Sequence, residues 1–114
     1  MKKLVLLAVI CCLFSCKSDA ELAVERGIHY FDWGKYNEAI LEFNEAKYLQ
    51  ITSKKQDYTD LKLLAQTHYN LAITHAKLNN LSIALNEAQR AFTLIPKKEY
   101  KEVLDLIAVQ MSGK

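Results

Sequence analysis

The chain has 114 residues, 51% of them hydrophobic and 25% charged, with a formal net charge of +2. That is enough chain for one small domain, and the charge is too small and too scattered to form the basic stripe a nucleic-acid partner needs. All three cysteines (Cys11, Cys12 and Cys16) lie in the first sixteen positions. A disulfide framework beyond them is therefore excluded.

Met1-Lys2-Lys3, an apolar run from Leu4 to Phe14 and the small Ser15 before Cys16 are the three regions of a secretory signal. The run is shorter than the roughly 20 residues a membrane-spanning helix needs. Leu13-Phe14-Ser15-Cys16 resembles a bacterial lipobox, with a large Phe14 where the motif usually has a smaller residue. The resemblance implies a signal peptide over 1–15, cleavage before Cys16, and covalent lipid (palmitate and its companions) on that cysteine. It also implies a lipid-anchored protein of the bacterial cell envelope, on either membrane. Cleavage there leaves 99 residues carrying 13 basic and 13 acidic side chains, so the positive excess belongs to the signal. Residues 16–18 form a very short tether, since Ser18 and Glu21 are spaced as a capping box at the head of a helix.

Five helices follow. The first runs from about Asp19 to Trp33 and breaks at Gly34, a residue that takes a left-handed backbone without strain. The second runs from about Tyr36 to Gln50 and buries Ala39, Ile40, Phe43 and Ala46. A polar loop, 52–57, leads to a third helix that starts near Thr59 or Asp60 and continues to Leu78. Asn79-Asn80 makes a turn, because asparagine tolerates positive φ. The fourth helix spans Leu81 to Leu94, ahead of Pro96. The fifth covers about Lys98 to Met111, with a stripe of Tyr100, Val103, Leu104, Ile107 and Met111 on one face; Leu106 and Val109 fall off that stripe, either as ordinary exposed apolar residues or as a second contact surface.

The sequence repeats itself across the second turn. Gly27, Tyr30, Gly34, Ala39 and Ala46 correspond to Ala72, His75, Asn79, Ala84 and Ala91, each pair 45 residues apart. With Tyr36 and Phe43 in the first copy and Leu71, Leu81, Ala88 and Pro96 in the second, this pattern resembles the tetratricopeptide repeat (TPR). That unit is a helix–turn–helix that stacks into a solenoid. The first copy departs from the family at Ala23 and Arg26, where larger residues are usual, and at Ile51, where proline is usual. The resemblance implies an all-α fold of two helix–turn–helix repeats plus a C-terminal capping helix, occupying 19–111. Repeat one covers about 20–51, an insertion 52–59, repeat two about 60–96 and the cap 98–111. The insertion lengthens helix three, and its added stripe of Leu61, Leu64, Ala65 and His68 is expected to cover the end of helix two.

The resemblance also implies a partner groove lined by the first helix of each repeat. Carried over residue by residue, it comprises Val24, Glu25, Ile28, Phe31 and Asp32 in repeat one, preceded by Glu21, and Tyr69, Asn70, Ile73 and Lys77 in repeat two, preceded by Gln66. In the family, a clamp for a peptide carboxylate uses lysine, arginine and asparagine at such positions. Only Asn70 and Lys77 qualify, and the apolar remainder suits a helical or apolar segment of a protein partner better. Helix five or a second copy of the chain could equally fill such a groove, so a homo-oligomer is a further expectation.

No catalytic constellation is legible. His29, His68 and His75 lack the i, i+4 spacing of paired metal ligands, and His68 and His75 read as core histidines with satisfied partners. No cofactor or metal site is expected. The functional expectation is a non-catalytic protein–protein interaction module or adaptor, held at an envelope membrane through Cys16. The alternative is a structural subunit of an envelope complex that folds fully only with its partner.

Overall fold

The computed structural model describes residues 17–54 and 56–113; the signal segment and Cys16 lie outside them. Five helices follow in chain order: α1 Asp19–Asp32, α2 Tyr36–Ile51, α3 Tyr58–Lys77, α4 Leu81–Leu94 and α5 Lys98–Ser112. There is no strand among the described residues. Each helix packs on the next in sequence, and α3 also touches α1 and α5 more lightly. The helices thus form two layers, with α1, α3 and α5 in one and α2 and α4 in the other. This is the expected all-α array of helical hairpins.

Local signals set the helix ends. Ser18 Oγ accepts the Glu21 N–H at 3.1 Å, forming one half of the expected box and satisfying a donor that α1 cannot use itself. Gly34 (φ 76°) and Asn79 (φ 62°) turn the two hairpins through left-handed backbone. The start of α3 differs from expectation. Asp57, not Thr59 or Asp60, is its N-cap. Asp57 Oδ1 accepts the Asp60 N–H at 3.0 Å and Asp60 Oδ2 accepts the Asp57 N–H at 3.2 Å. The reciprocal pair satisfies two donors where a lone Thr59 would satisfy one, which moves the start of the helix back to Tyr58.

Small residues hold the hairpins close. Ala23, Val24, Ala39, Phe43, Ala46 and Leu71 form one buried cluster joining α1, α2 and α3. Ala72, Ala84, Ala88 and Ile107 form a second across α3, α4 and α5. Ala65, Ala91 and Tyr100 form a third. Ile40 is only partly buried, at the edge of the first cluster. The extension of α3 packs differently from expectation: Ala65 goes against α4 and α5, and His68 bonds to Glu87 of α4. The extension still covers the end of α2, through residues off the expected stripe: Leu63 packs on the α1–α2 cluster, and Thr67 Oγ1 accepts from Gln50 Nε2 in the last turn of α2 at 3.0 Å. The extension is gripped from both sides because α3 is the central helix of its layer.

Candidate partner groove along α3

One face of α3 is left uncovered by α2 and α4. Tyr58, Lys62, Gln66, Tyr69, Ile73 and Lys77 follow one another at intervals of three or four residues, which stacks them along a single helix face. Three cavities open in line along it. The first, about 520 Å³, is lined by Tyr58, Lys62, Gln66, Tyr69 and Asn70 of α3 and by Ile95, Lys97, Glu99 and Tyr100 at the head of α5. The second, about 170 Å³, lies between α1 and α3, lined by Ile28, Phe31, Phe43, Asn70, Ile73 and Thr74. The third, about 330 Å³, lies between α3 and α5, lined by Ile73, Ala76, Lys77, Val103, Leu106, Ile107 and Gln110.

The character of the face changes along its length. At the first cavity the Tyr69 and Tyr100 rings stack at 4.9 Å between centroids, and Lys97 Nζ lies 5.1 Å from the Tyr100 ring. Burial pushes the Tyr69 phenol above its ordinary range, and a hydrogen bond with Glu99 pushes it the same way. It therefore stays protonated, a donor and not an anion. The second and third cavities are mostly apolar. Between the first and second sits Asn70, whose Nδ2 is buried without a protein acceptor. An unpaired buried donor costs about 1–3 kcal/mol, and a carbonyl seated in the groove would relieve that cost.

The groove residues expected from the sequence divide. Ile28, Phe31, Asn70 and Ile73 meet in the second cavity, Ile73 and Lys77 also line the third, and Tyr69 lines the first. Val24 does not belong to the surface: it is buried at 3% exposure in the first core cluster. It lies one turn before Ile28, where α1 closes onto α2 and α3. Glu25 is paired with Lys17 along α1, and Asp32 is exposed at the end of α1. Neither lines the cavity between α1 and α3.

Helix α5 does not fill the groove. Its buried face, centred on Tyr100 and Ile107, packs mainly against α4. The opposite wall of the groove is then built from Val103, Leu106 and Gln110. Leu106 is 63% exposed and follows the second of the two readings its place off the stripe leaves open, a contact surface and not an isolated exposed apolar residue. The signal in the sequence was only that Leu106 is an apolar residue off the packing stripe of α5.

The histidines lie apart from this groove. His68 Nδ1 is 2.6 Å from Glu87 Oε2, and Lys47 Nζ is 3.6 Å from Glu87 Oε1, a three-helix linkage of α2, α3 and α4. Burial works to raise the Glu87 pKa, but the His68 hydrogen bond and the charges of His68 and Lys47 outweigh it and hold the carboxyl below its usual range. His75 is not satisfied as expected: its Nδ1 is buried without a partner, and burial lowers its pKa. Among the described residues no group of three or more histidine, cysteine, aspartate or glutamate side chains could hold a metal ion. No helix among them is long and apolar enough to cross a membrane.

No protein-family model matches the chain. A 79-residue stretch is 34% identical to part of the peptidyl-prolyl cis-trans isomerase FKBP4 of Bos taurus and 32% identical to that of Homo sapiens. The match takes in 66% of this chain but only 17% of each relative. The similarity is to a segment of those isomerases and not to their whole.

Proposed function

We propose that this chain is a non-catalytic protein-binding module, anchored to a bacterial envelope membrane by lipid on Cys16, that holds an apolar or helical segment of a partner along α3. The observation that carries the binding reading is the alignment of three cavities on one face of α3, with α1 and α5 as walls. Ile28, Phe31, Ile73 and Leu106 supply apolar contact. The unpaired Asn70 Nδ2 supplies a donor for a partner carbonyl. The TPR resemblance and the segmental similarity to FKBP4 support the binding reading. The lipobox pattern at Leu13–Cys16 supports the anchor.

A photo-crosslinking amino acid placed at Ile73, and separately at the outward-facing Leu41 of α2, tests the groove in cells. A protein adduct from position 73 that is absent from position 41, and is lost on Leu106→Glu, is the expected result. Equal adducts from both positions, or none from position 73, sink the groove. Fatty-acid labelling of the native chain but not of Cys16→Ala tests the anchor.

A further inference from the structure

Helix α2 carries apolar residues on the side it does not pack. Ala39, Phe43, Ala46 and Gln50 bury one face. On the other, Leu41, Tyr48 and Ile51 are 70%, 67% and 56% exposed. With the exposed Asn37 and Asn44 they recur at intervals of four, three, four and three residues, the heptad seam along which one helix receives another. Packing of the repeat does not require them. The positions 45 residues on hold the polar Ser82, Asn86, Gln89 and Thr93 of α4, with Pro96 after it. Ala84 and Ala91 still bury the inner face of α4, as Ala39 and Ala46 bury that of α2.

Carboxylates flank the stripe. Glu38 and Glu45 lie three or four residues from Leu41 and Tyr48, which makes them neighbours on the helix surface. Both are exposed, and neither pairs with another described side chain. Toward α1, Glu42 Oε2 accepts from Arg26 Nε at 2.7 Å, and the charges of Glu45 and Asp19 also bear on Arg26. Asp19, Glu38, Glu42 and Glu45 thus share a single guanidinium. Lys17, at the head of α1, is taken by Glu25. Lys47 of α2 reaches the other way, 3.6 Å from Glu87 of α4. Lys35 and Lys54 lie beyond the two ends of α2.

We propose that this outer face of α2 docks a basic amphipathic helix of a protein partner, one with lysine or arginine beside an apolar heptad stripe. The spacing of Leu41, Tyr48 and Ile51 sets the helical form, and the unshared carboxylates set the sign of the charge. A second copy of α2 brings no such cation, because its Lys47 is held by Glu87. None of Leu41, Tyr48 and Ile51 lines a cavity of the α3 groove, so the inference stands apart from the groove reading. A crosslink from Leu41 to such a helix is a different adduct from the one expected at Ile73.

The test uses full-length protein and a labelled synthetic peptide of about three heptads, with leucine along its stripe and lysine on both flanks. A second peptide has glutamate in place of lysine. Fluorescence anisotropy should show the lysine peptide bound about tenfold more tightly or better, with the gap narrowing as salt screens it. Leu41→Asn/Tyr48→Thr copies the residues at positions 86 and 93 and leaves the buried face intact. It should abolish binding while helicity is kept. Glu38→Gln/Glu45→Gln should close most of the gap between the two peptides, and Leu106→Glu, in the groove wall, should change neither affinity. Binding that survives Leu41→Asn/Tyr48→Thr, equal affinity for the two peptides, or no binding at all overturns the proposal. A dimer in sedimentation that the same double variant dissociates also overturns it, in favour of a second copy on the stripe.

Discussion

Gly27 and Phe43 meet where α1 crosses α2, and their partners in the second repeat show how the two hairpins solve one packing problem in two ways. A Cβ on Gly27 would overlap the Phe43 ring, which is buried at 1% exposure. The positions 45 residues on hold Ala72 and Ala88, so a methyl gained on one helix is matched by a ring lost on the other. Gly27→Ala should destabilise by about 1–3 kcal/mol, the usual cost of overpacking, less the fraction of a kcal/mol that alanine returns as a better helix former. Phe43→Ala alone leaves a cavity and should cost about 3–5 kcal/mol. The double variant, restoring the alanine pair of the second hairpin, should cost clearly less than the sum of the two. Thermal or urea unfolding of the four proteins measures that coupling.

One half-buried histidine and one buried carboxylate make the fold sensitive to acid in a defined direction. His75 has a folded-state pKa below its unfolded value, because burial disfavours the imidazolium. The unfolded chain then binds more protons than the fold as pH drops through about 6.5, and stability falls with it. Glu87, also lowered in the fold, adds a second loss only below its unfolded value, near 4.5. Melting temperature should therefore be level above neutrality and decline in two stages on acidification. His75→Gln should remove the first stage and leave the second. Circular-dichroism melts across pH check both signs.

At the scale of the element, α3 is the longest helix, with 20 residues, and everything else is arranged around it. It begins after a loop, not a tight turn, so its start depends on side chains. Asp57→Ala removes the acceptor for the Asp60 N–H and should cost about 0.5–2 kcal/mol. The loss should appear as earlier amide exchange in the first turn of α3, while α4 and α5 keep their protection. Helix boundaries were largely legible in the sequence. Gly34, Asn79 and Pro96 each change backbone geometry in a way no distant contact can override, and α4 falls at Leu81–Leu94 as read. The head of α3 was misread because Asp57, Thr59 and Asp60 are all competent caps, and only the reciprocal geometry chooses among them.

At the scale of the whole molecule, the array is held by contacts between successive neighbours, so its last helix protects the one before it. Tyr100 and Ile107 of α5 close the second and third core clusters. The outer side of α5 carries Lys98, Lys101, Glu102 and Asp105, with Lys101 Nζ 2.8 Å from Asp105 Oδ1. It is a polar end to the stack. Ending the chain after Lys97 should therefore lose more helicity than the 15 residues of α5 account for, because Ala84, Ala88 and Ala91 of α4 lose their cover. Ellipticity at the helix minimum, per molecule, measures the excess. Helicity lost only in proportion to the residues removed would show that the two hairpins stand without their cap.

What the chain determined by itself is local and periodic. Turn residues with special backbone needs, alanines at helix crossings and a 45-residue correspondence specify the five helices and the pairing of each hairpin, because these depend on the nearest residues in sequence. Only the tertiary structure decided which face of each helix is covered. Periodicity places Val24 and Ile28 on one stripe of α1, yet the angle at which α1 meets α2 and α3 buries Val24 in the core and leaves Ile28 in the groove. It equally marks Leu106 as a residue off the packing stripe of α5. Leu106 becomes a groove wall because α5 packs on α4 and leaves the face of α3 open.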